Sequence, residues 1–511
     1  MQSEPNPDSF SANHLHVPNS TRSADIARML GIALRQHQAG RFSEAEQIYR
    51  QILAVDTNHA DSLHLLGMIE FQAGNHAAAV RMICQAIAIN KAQAAYHSNL
   101  GTVLQSQGRL DEAASCYEHA LILQPNSPEI HTNLGNIFHA QDKVDEAIAA
   151  HQRALALNSD LPEPHYNLGL AQLLKGDFKS GWPNLEWRWR TKDHQTPMRD
   201  YARPLWTGEK IDSGRVLIWG EQGVGDEIMF AGLIPDAIRT GNRFVLDCDS
   251  RLQPLFARSF PGVEVVCSHH FPNSEDPESD LSAHLPSGSL RGIFRASNDA
   301  FAATTSPYLL ANPAARDQFR ARYADGPCLV GLAWYTRNQQ TGHDRSIDLS
   351  LLAPLFERKD IQWVSLQYGD HDDLENQATA ANAPVFIDRS VDQLADIDIF
   401  AAQIAALDMV ITIDNSTAHL AGALGIPVWV LLPFARDWRW LQAREDSPWY
   451  PTMRLFRQPQ RGDWPSVIQK LGSALSLLTT SRQNLPAWVN LAHLSSQLAM
   501  RSPARVTPNP K

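Results

Sequence analysis

Between Met409 and Phe434, hydrophobic and polar positions fall in blocks. Met409-Val410-Ile411-Thr412-Ile413 is apolar and β-branched, the pattern of a strand. Asp414-Asn415-Ser416-Thr417 is a polar set suited to a turn and a helix cap. Ala418 to Leu424 reads as a short helix with a small-residue face, ended by Gly425 and Pro427. Val428-Trp429-Val430-Leu431-Leu432 then reads as a strand buried on both faces. This strand–turn–helix–strand unit predicts a parallel α/β sheet, with residues 414–417 at the carboxyl end of a strand, where ligands meet helix N-termini.

Upstream the period changes. In frames of 34 residues starting at 26, 60, 94, 128 and 162, position 8 holds Ala33, Gly67, Gly101, Gly135 and Gly169. Position 20 holds Ala45, Ala79, Ala113, Ala147 and Gly181, and position 27 holds Ile52, Ala86, Ala120, Ala154 and Arg188. Small residues at fixed places let paired helices cross closely. The turn between them recurs as Ala39-Gly40-Arg41, Ala73-Gly74-Asn75, Gln107-Gly108-Arg109, Gln141-Asp142-Lys143 and Lys175-Gly176-Asp177. This pattern resembles the tetratricopeptide repeat (TPR), with four regular units and a divergent fifth. Such arrays form an α-solenoid whose concave face usually binds peptides or partner proteins. Asn99, Asn133 and Asn167 recur at position 6, where an amide can reach a peptide backbone. The fifth frame breaks at Gly181-Trp182-Pro183-Asn184-Leu185-Glu186-Trp187-Arg188-Trp189-Arg190, whose three tryptophans predict an apolar junction to the next domain.

Val216 to Gly220 reads as a strand, Glu221-Gln222-Gly223-Val224-Gly225-Asp226 as a Gly-rich turn, Glu227 to Thr240 as a helix and Arg243 to Cys248 as a strand. Glycines at that turn let backbone approach a ligand. Asp247-Cys248-Asp249 has the spacing of a metal-binding DxD, a short match that arises often by chance. Ser268 to Ser289 reads as a long polar loop. Cys328 to Trp334 opens a further α/β block, with Arg337, His343 and Arg345 in the following loop, a helix over Leu349 to Phe356 and a strand over Trp363 to Leu366. A helix over Ile397 to Leu407 feeds the 409–434 unit, and a final helix runs from about Trp464 to Leu478. An amphipathic piece near Trp488 to Met500 precedes a Pro-rich end.

Composition narrows the function. The net charge is −11 and no block of Lys or Arg stands out, which argues against a nucleic-acid surface. The five cysteines are scattered without a CxxC, so neither a zinc knuckle nor a disulfide frame is expected, and a reducing cytoplasm fits. No secretory signal, membrane span or resident cofactor is expected. A dinucleotide enzyme would call for GxGxxG and a ribose-binding acid, which the Gly-rich turn lacks.

Glu221 to Asp226 with Pro235 resembles the N-terminal signature of bacterial heptosyltransferase-like enzymes, and Asp414 to Ala421 with Gly425-Ile426-Pro427 resembles their donor-site signature. The whole order from about residue 30 to 475, including Asp437-Trp438-Arg439-Trp440 and Ser447-Pro448-Trp449-Tyr450-Pro451, resembles bacterial TPR-fused proteins with a heptosyltransferase-like domain. The architecture, though not these motifs, is similar to that of TPR-containing protein O-GlcNAc transferases. The resemblance implies two doubly wound Rossmann-like domains of GT-B type and inverting, metal-independent glycosyl transfer from a nucleotide sugar. It also implies a catalytic-base role for Asp226, which a helix N-terminus keeps ionised. Gly223, Gly225, Asp414, Asn415, Ser416, Thr417 and His419 would face the donor, with His419 donating to a phosphate oxygen and Arg337 and Arg345 neutralising the diphosphate. The same residues also suit plain helix capping and solvated loops. Thr417-Ala418 stands where the family usually has a glycine after Ser or Thr, so ADP-heptose is not assumed as donor.

The chain therefore divides into a disordered lead (1–25), about five TPR units (26–195), an acceptor-side domain (196–325), a nucleotide-sugar domain (326–480) and a tail (481–511). The expected function is transfer of a sugar to a protein or peptide acceptor recruited by the repeats. The alternative is a non-catalytic TPR adaptor with a degenerate transferase domain.

Overall fold

The computed structural model describes residues 19–482, apart from 193, 195, 268–279, 305, 324–327, 339–340 and 443. The N-terminal lead up to residue 18, the first part of the 268–289 stretch and the amphipathic tail lie outside the described residues. The chain forms two compact units, one of residues 1–141 with 156–159 and the other of the remainder.

The first unit is helical: α1 (Asn19–Gln38), α2 (Phe42–Val55), α3 (Ala60–Gln72), α4 (His76–Ile89), α5 (Ala94–Ser106), α6 (Leu110–Leu123) and α7 (Pro128–Ala140). Successive helices pack as antiparallel pairs, and the first helices of neighbouring pairs also touch. The 34-residue register explains the packing. Ala33, Ala45, Ala79 and Ala113 are fully buried, as are Ile52, Ala86 and Ala120. A side chain at Gly67 would meet Ile83 at 2.9 Å, and one at Gly101 would meet the Tyr117 ring at 3.0 Å. The inter-helix turns need a left-handed residue, met by Gly40, Gly74 and Gly108 at φ of 73°, 83° and 72°.

The second unit opens with α8 (Val144–Leu157), α9 (Pro162–Leu174) and α10 (Phe178–Leu185). The turn before α8 places Asp142 at φ 61°, where other units have glycine, and its carboxylate pairs with Arg436 at 3.1 Å. Then come β1 (Arg215–Trp219), α11 (Val224–Ala231), α12 (Ile234–Arg239), β2 (Phe244–Cys248), α13 (Gln253–Ser259), β3 (Glu264–Cys267), β4 (Leu281–Pro286), α14 (Leu290–Phe294) and α15 (Pro313–Arg322). The rest is β5 (Leu329–Ala333), α16 (Gly342–Arg345), α17 (Ala353–Phe356), β6 (Gln362–Ser365), α18 (His371–Ala380), β7 (Val385–Phe386), α19 (Ile397–Ala405), β8 (Met409–Ile413), α20 (Ser416–Ala423), β9 (Val428–Leu432), β10 (Met453–Arg457) and α21 (Trp464–Arg482).

All strand pairs are parallel, in two sheets ordered β3-β2-β1-β4 and β10-β9-β8-β5-β6-β7. Read from the other edge, the six-stranded sheet runs third, second, first, fourth, fifth, sixth, the doubly wound order whose switch point lies between its first and fourth strands, β5 and β8. The smaller sheet repeats half of that order, with its own switch point between β1 and β4. Both sheets are covered on both faces, as parallel sheets require. One continuous core joins Leu174, Phe178 and Trp182 of the last repeat helices to Val216 and Ile228 by the small sheet and to Val410, Ala421 and Val428 by the large one. The opposite face of the large sheet buries Val330, Trp363 and Ile411 against Trp464, Val467 and Leu471 of α21.

Three expectations need correction. Part of the stretch read as a polar loop is β4, a buried strand pairing with β1. Its short Leu-Ser-Ala-His-Leu-Pro run hides the signal because His284 is buried, with its Nδ1 accepting from the Trp219 indole at 3.2 Å. The helix expected over 227–240 is two helices, broken at Gly232 ahead of Pro235, where the Tyr308 ring fills the space a side chain would need. The helix expected over 349–356 starts as a 3₁₀ turn at Leu349–Leu352 before α17. The tryptophan cluster packs as expected. Trp182 meets Trp438 edge-on at 5.5 Å, Trp187 stacks on His165 at 3.9 Å, and Trp189 lies against Trp219 at 5.6 Å.

Gly169 and Gly181 mark the closest crossing of α9 and α10. A Cβ at Gly169 would meet backbone, Leu185 N at 2.8 Å and Gly181 O at 3.0 Å. Backbone cannot step aside as a side chain can. Gly169→Ala should therefore lower unfolding free energy by about 1–3 kcal/mol in a denaturant titration.

Candidate functional site

The site forms where α11 and α20 meet. Each helix starts at the carboxyl end of a strand, α11 after β1 and α20 after β8. Gly225 lies against α20 so closely that an added Cβ would sit 3.4 Å from Ser416 Cα and from His419 Cδ2. The Gly-rich turn and the polar turn, 190 residues apart in the chain, thus become neighbours, and two positive helix ends converge.

The Gly-rich turn is anchored from behind. Glu221 is fully buried and accepts two hydrogen bonds from Arg188, at 2.8 Å each, and one from the Gly288 N–H at 2.9 Å. Gln222 takes φ 66°, and its N–H donates to Thr196 Oγ1 at 2.9 Å. Gly223 caps α11, and its N–H donates to Asp226 Oδ2 at 3.4 Å. The other Asp226 oxygen pairs with Arg439. Arg439 also contacts both Asp437 oxygens at 3.0 Å. Burial opposes its charge, but Asp226 and Asp437 outweigh that and raise its pKa.

The polar turn is built as a cap. Asn415 Oδ1 accepts from the Ala418 N–H at 3.3 Å and from Thr412 Oγ1 at 3.0 Å. That fixes the amide orientation and leaves its buried Nδ2 as a donor with no partner among the described residues. Thr417 is buried and Ser416 half-buried in the first turn of α20. Asp414 is buried, with Arg345 Nη1 3.4 Å from its carboxylate. Burial raises its pKa against the pull of Arg345. For Asp437, burial is outweighed by Arg439 and Arg345, which lower it.

His419 lies one turn into α20. Its Nδ1 is 2.9 Å from the Tyr450 hydroxyl, and its ring stacks on Trp440 with centroids 5.3 Å apart. Burial first, and Arg439 second, lower its pKa to about 4, so the imidazole is neutral at neutral pH.

Asp226, Gly225 and residues 414–419 are therefore brought together, with Arg345 beside them. Arg337 is not part of that cluster: it is exposed, its backbone N–H donates to Tyr368 Oη at 2.6 Å and its guanidinium lies over the Tyr368 ring. His343 is exposed and 3.5 Å from Asp344. Asp247 and Asp249 of the DxD are engaged by Arg199 and Arg251. Among the described residues, no group of three or more His, Cys, Asp or Glu is placed to hold a metal. Asn99, Asn133 and Asn167 are half-buried, and the Asn99 amide meets His64 Nε2 at 2.8 Å between the first helices of successive repeats. From sequence, Asp437-Trp438-Arg439-Trp440 and Trp449-Tyr450 are landmarks without assigned roles. Arg439, Asp437, Trp440 and Tyr450 line the site. Their signal was a charged pair set among tryptophans, which a solvated loop would not need.

Models of the tetratricopeptide repeat match this chain, one described as TPR repeat over residues 103–142 and 135–176, the other as Tetratricopeptide repeat over residues 36–101. The chain carries TPR repeats. Protein FlbA of Caulobacter vibrioides is 30% identical over 321 residues, 59% of this chain and 53% of FlbA. The chain thus matches about half the length of that relative. Solved structures with similarity include MamA (19% identity, 30% of this chain and 91% of MamA, TM-score 0.29). Others are PilF of Pseudomonas aeruginosa (20%, 32% and 77%, TM-score 0.31) and YrrB, a TPR protein with an unusual peptide-binding site (18%, 31% and 82%, TM-score 0.28). No helix among the described residues is long and apolar enough to cross a membrane.

Two outcomes follow. Arg188→Met should cost roughly 3–5 kcal/mol of unfolding free energy, because Glu221 is left buried without its counter-ion. For His419, the unfolded chain takes up a proton near pH 6.5 and the folded protein only near pH 4. The unfolded state therefore holds more protons between those values, so this contribution is full above pH 6.5 and lost as pH falls through 4. Stability of the wild type measured against His419→Gln should rise by about 3 kcal/mol across that window.

Proposed function

We propose that the second unit transfers a sugar from a nucleotide-sugar donor, and that the repeats recruit a protein or peptide acceptor. The observation that carries this reading is the meeting of Gly225 with Ser416 and His419. It sets the carboxyl ends of two parallel sheets against one another, the arrangement expected of a GT-B cleft. Helix starts with unpaired N–H groups and a convergent positive field suit a diphosphate. Arg345, loosely held by Asp414, is positioned to turn to a phosphate. A cavity of about 580 Å³ next to the same loop, lined by Trp334, Tyr335, Ser346, Asp348 and Gln377, is of a size that takes a nucleoside. Inversion and independence from metal rest on the resemblance to heptosyltransferase-like enzymes. The TPR repeats favour a second reading, a protein-binding scaffold without catalysis.

Thermal unfolding of the full chain with a panel of nucleotides and nucleotide sugars separates the two. At least one should raise the melting temperature, and Arg345→Ala should weaken its binding about tenfold, roughly 1.4 kcal/mol. No stabilisation by any of them would leave the scaffold reading. With a donor in hand, Asn99→Ala with Asn133→Ala should slow transfer to a protein acceptor more than donor hydrolysis. Equal slowing would remove these amides from acceptor binding.

A further inference from the structure

Gln367 follows directly on the apolar run Trp363-Val364-Ser365-Leu366, and it is 1% exposed. A buried amide must satisfy both of its ends, and this one does so against backbone. Its Oε1 accepts from the Trp334 N–H at 2.9 Å and from the Tyr335 N–H at 2.8 Å. Its Nε2 donates to the Tyr335 carbonyl at 3.1 Å and to the Tyr368 carbonyl at 3.2 Å. Both oxygen lone pairs and both amide hydrogens are used. Exchanging the two ends would set N–H against N–H and oxygen against oxygen, so the partners fix the orientation. The ladder between β5 and β6 closes where the Leu366 N–H donates to the Leu332 carbonyl at 2.9 Å. Beyond that point the Gln367 side chain takes the place of a peptide group and carries the pairing on to residues 334 and 335.

The next residue lengthens the clamp. Tyr368 Oη accepts from the Arg337 N–H at 2.6 Å and donates to Thr336 Oγ1 at 3.3 Å. The Trp334 carbonyl in turn accepts from the Ile347 N–H at 2.8 Å, and the Thr336 N–H donates to Ser346 Oγ at 3.1 Å. The stretch that Gln367 holds is therefore bonded to the two residues that follow Arg345, the arginine 3.4 Å from Asp414. Trp334, Tyr335, Ser346 and Ile347 also line the cavity of about 580 Å³. We propose that Gln367 is a positioning residue for this cavity and for Arg345, acting through the backbone of residues 334–337 and not by contact with a ligand. The role calls for glutamine because it takes an acceptor and a donor at the two ends of one planar group. That the cavity receives a nucleoside, and Arg345 a phosphate, rests on the transferase reading, whereas the hold on the loop does not.

Two variants of the full chain test this. Gln367→Met keeps the volume and removes both hydrogen-bonding ends. Gln367→Glu, once ionised, turns an oxygen on the Tyr335 and Tyr368 carbonyls; protonated, it regains one O–H donor. Hydrogen exchange is read first, by mass spectrometry of peptides covering residues 334–337. In Gln367→Met the Trp334 and Tyr335 amides should exchange about tenfold faster than in the wild type. Calorimetric titration with ADP, GDP, CDP, UDP and dTDP follows. The diphosphate that binds the wild type should bind Gln367→Met about tenfold more weakly. Gln367→Glu should show the same loss at about pH 8 and recover toward the wild-type affinity at about pH 5, where a carboxyl buried against two carbonyls is protonated. Each comparison is with the wild type at the same pH. A residue that serves stability alone would lower the melting temperature of both variants and leave affinity and its pH profile unchanged. That result would overturn the proposal, as would wild-type exchange in Gln367→Met. If none of these diphosphates binds the wild type, the nucleoside reading fails, while the exchange rates still decide whether Gln367 sets the wall. Should Gln367→Met not fold, Gln367→Glu at the two pH values carries both measurements.

Discussion

Arg439 is the charge on which the site depends. It reaches from the loop after β9 to Asp226 on the far side, and it holds Asp437 on its own side. Each partner alone would be costly: a carboxylate removed from water without a counter-ion either takes up a proton or destabilises the fold. Together the three groups leave one negative charge. Asp414 with Arg345 adds none, and the two helix starts supply the opposing positive field. The charges of the site therefore come close to balance. Under the proposed function, a diphosphate would unbalance the site unless an arginine changed partner, and the monodentate 3.4 Å contact of Arg345 makes it the one more easily released.

Behind this balance stands a frame that tolerates little movement. Arg188 and Glu221 fix the root of the Gly-rich turn without any exposure to water. Trp440 and Tyr450 hold the His419 ring from two directions. At Gly225 a Cβ would just reach van der Waals contact with Ser416 and His419, so a longer side chain would have to displace α20. Precise placement of reacting groups depends on such support more than on the groups themselves.

Much of this could be read in the chain. The 34-residue register specified the repeats because small positions such as Gly67 and Gly101 have steric partners, Gly101 against Tyr117. The strands at Met409–Ile413 and Val428–Leu432 were legible as β-branched apolar runs. β4 was not, since its inward histidine reads as polar until the Trp219 indole is seen to satisfy it. In the site, backbone-driven features were legible: glycines at close approaches, an Asn cap, a polar turn at a strand end. Pairings between distant side chains were not. Nothing local ties Asp226 to Arg439, 213 positions away.

The shared core of α9 and α10 bears on how such a chain can vary in length. Solenoids gain and lose units easily because a repeat touches only its neighbours. Here the last helix pair has lost that freedom. Trp182 lies among Trp438 and Trp449, its indole donates to Arg295 O at 2.7 Å, and the Gln442 N–H donates to Leu174 O at 2.9 Å. A 34-residue unit inserted or removed there would break these contacts. A repeat unit added or lost is therefore expected to be tolerated better upstream of α8 than at this last helix pair.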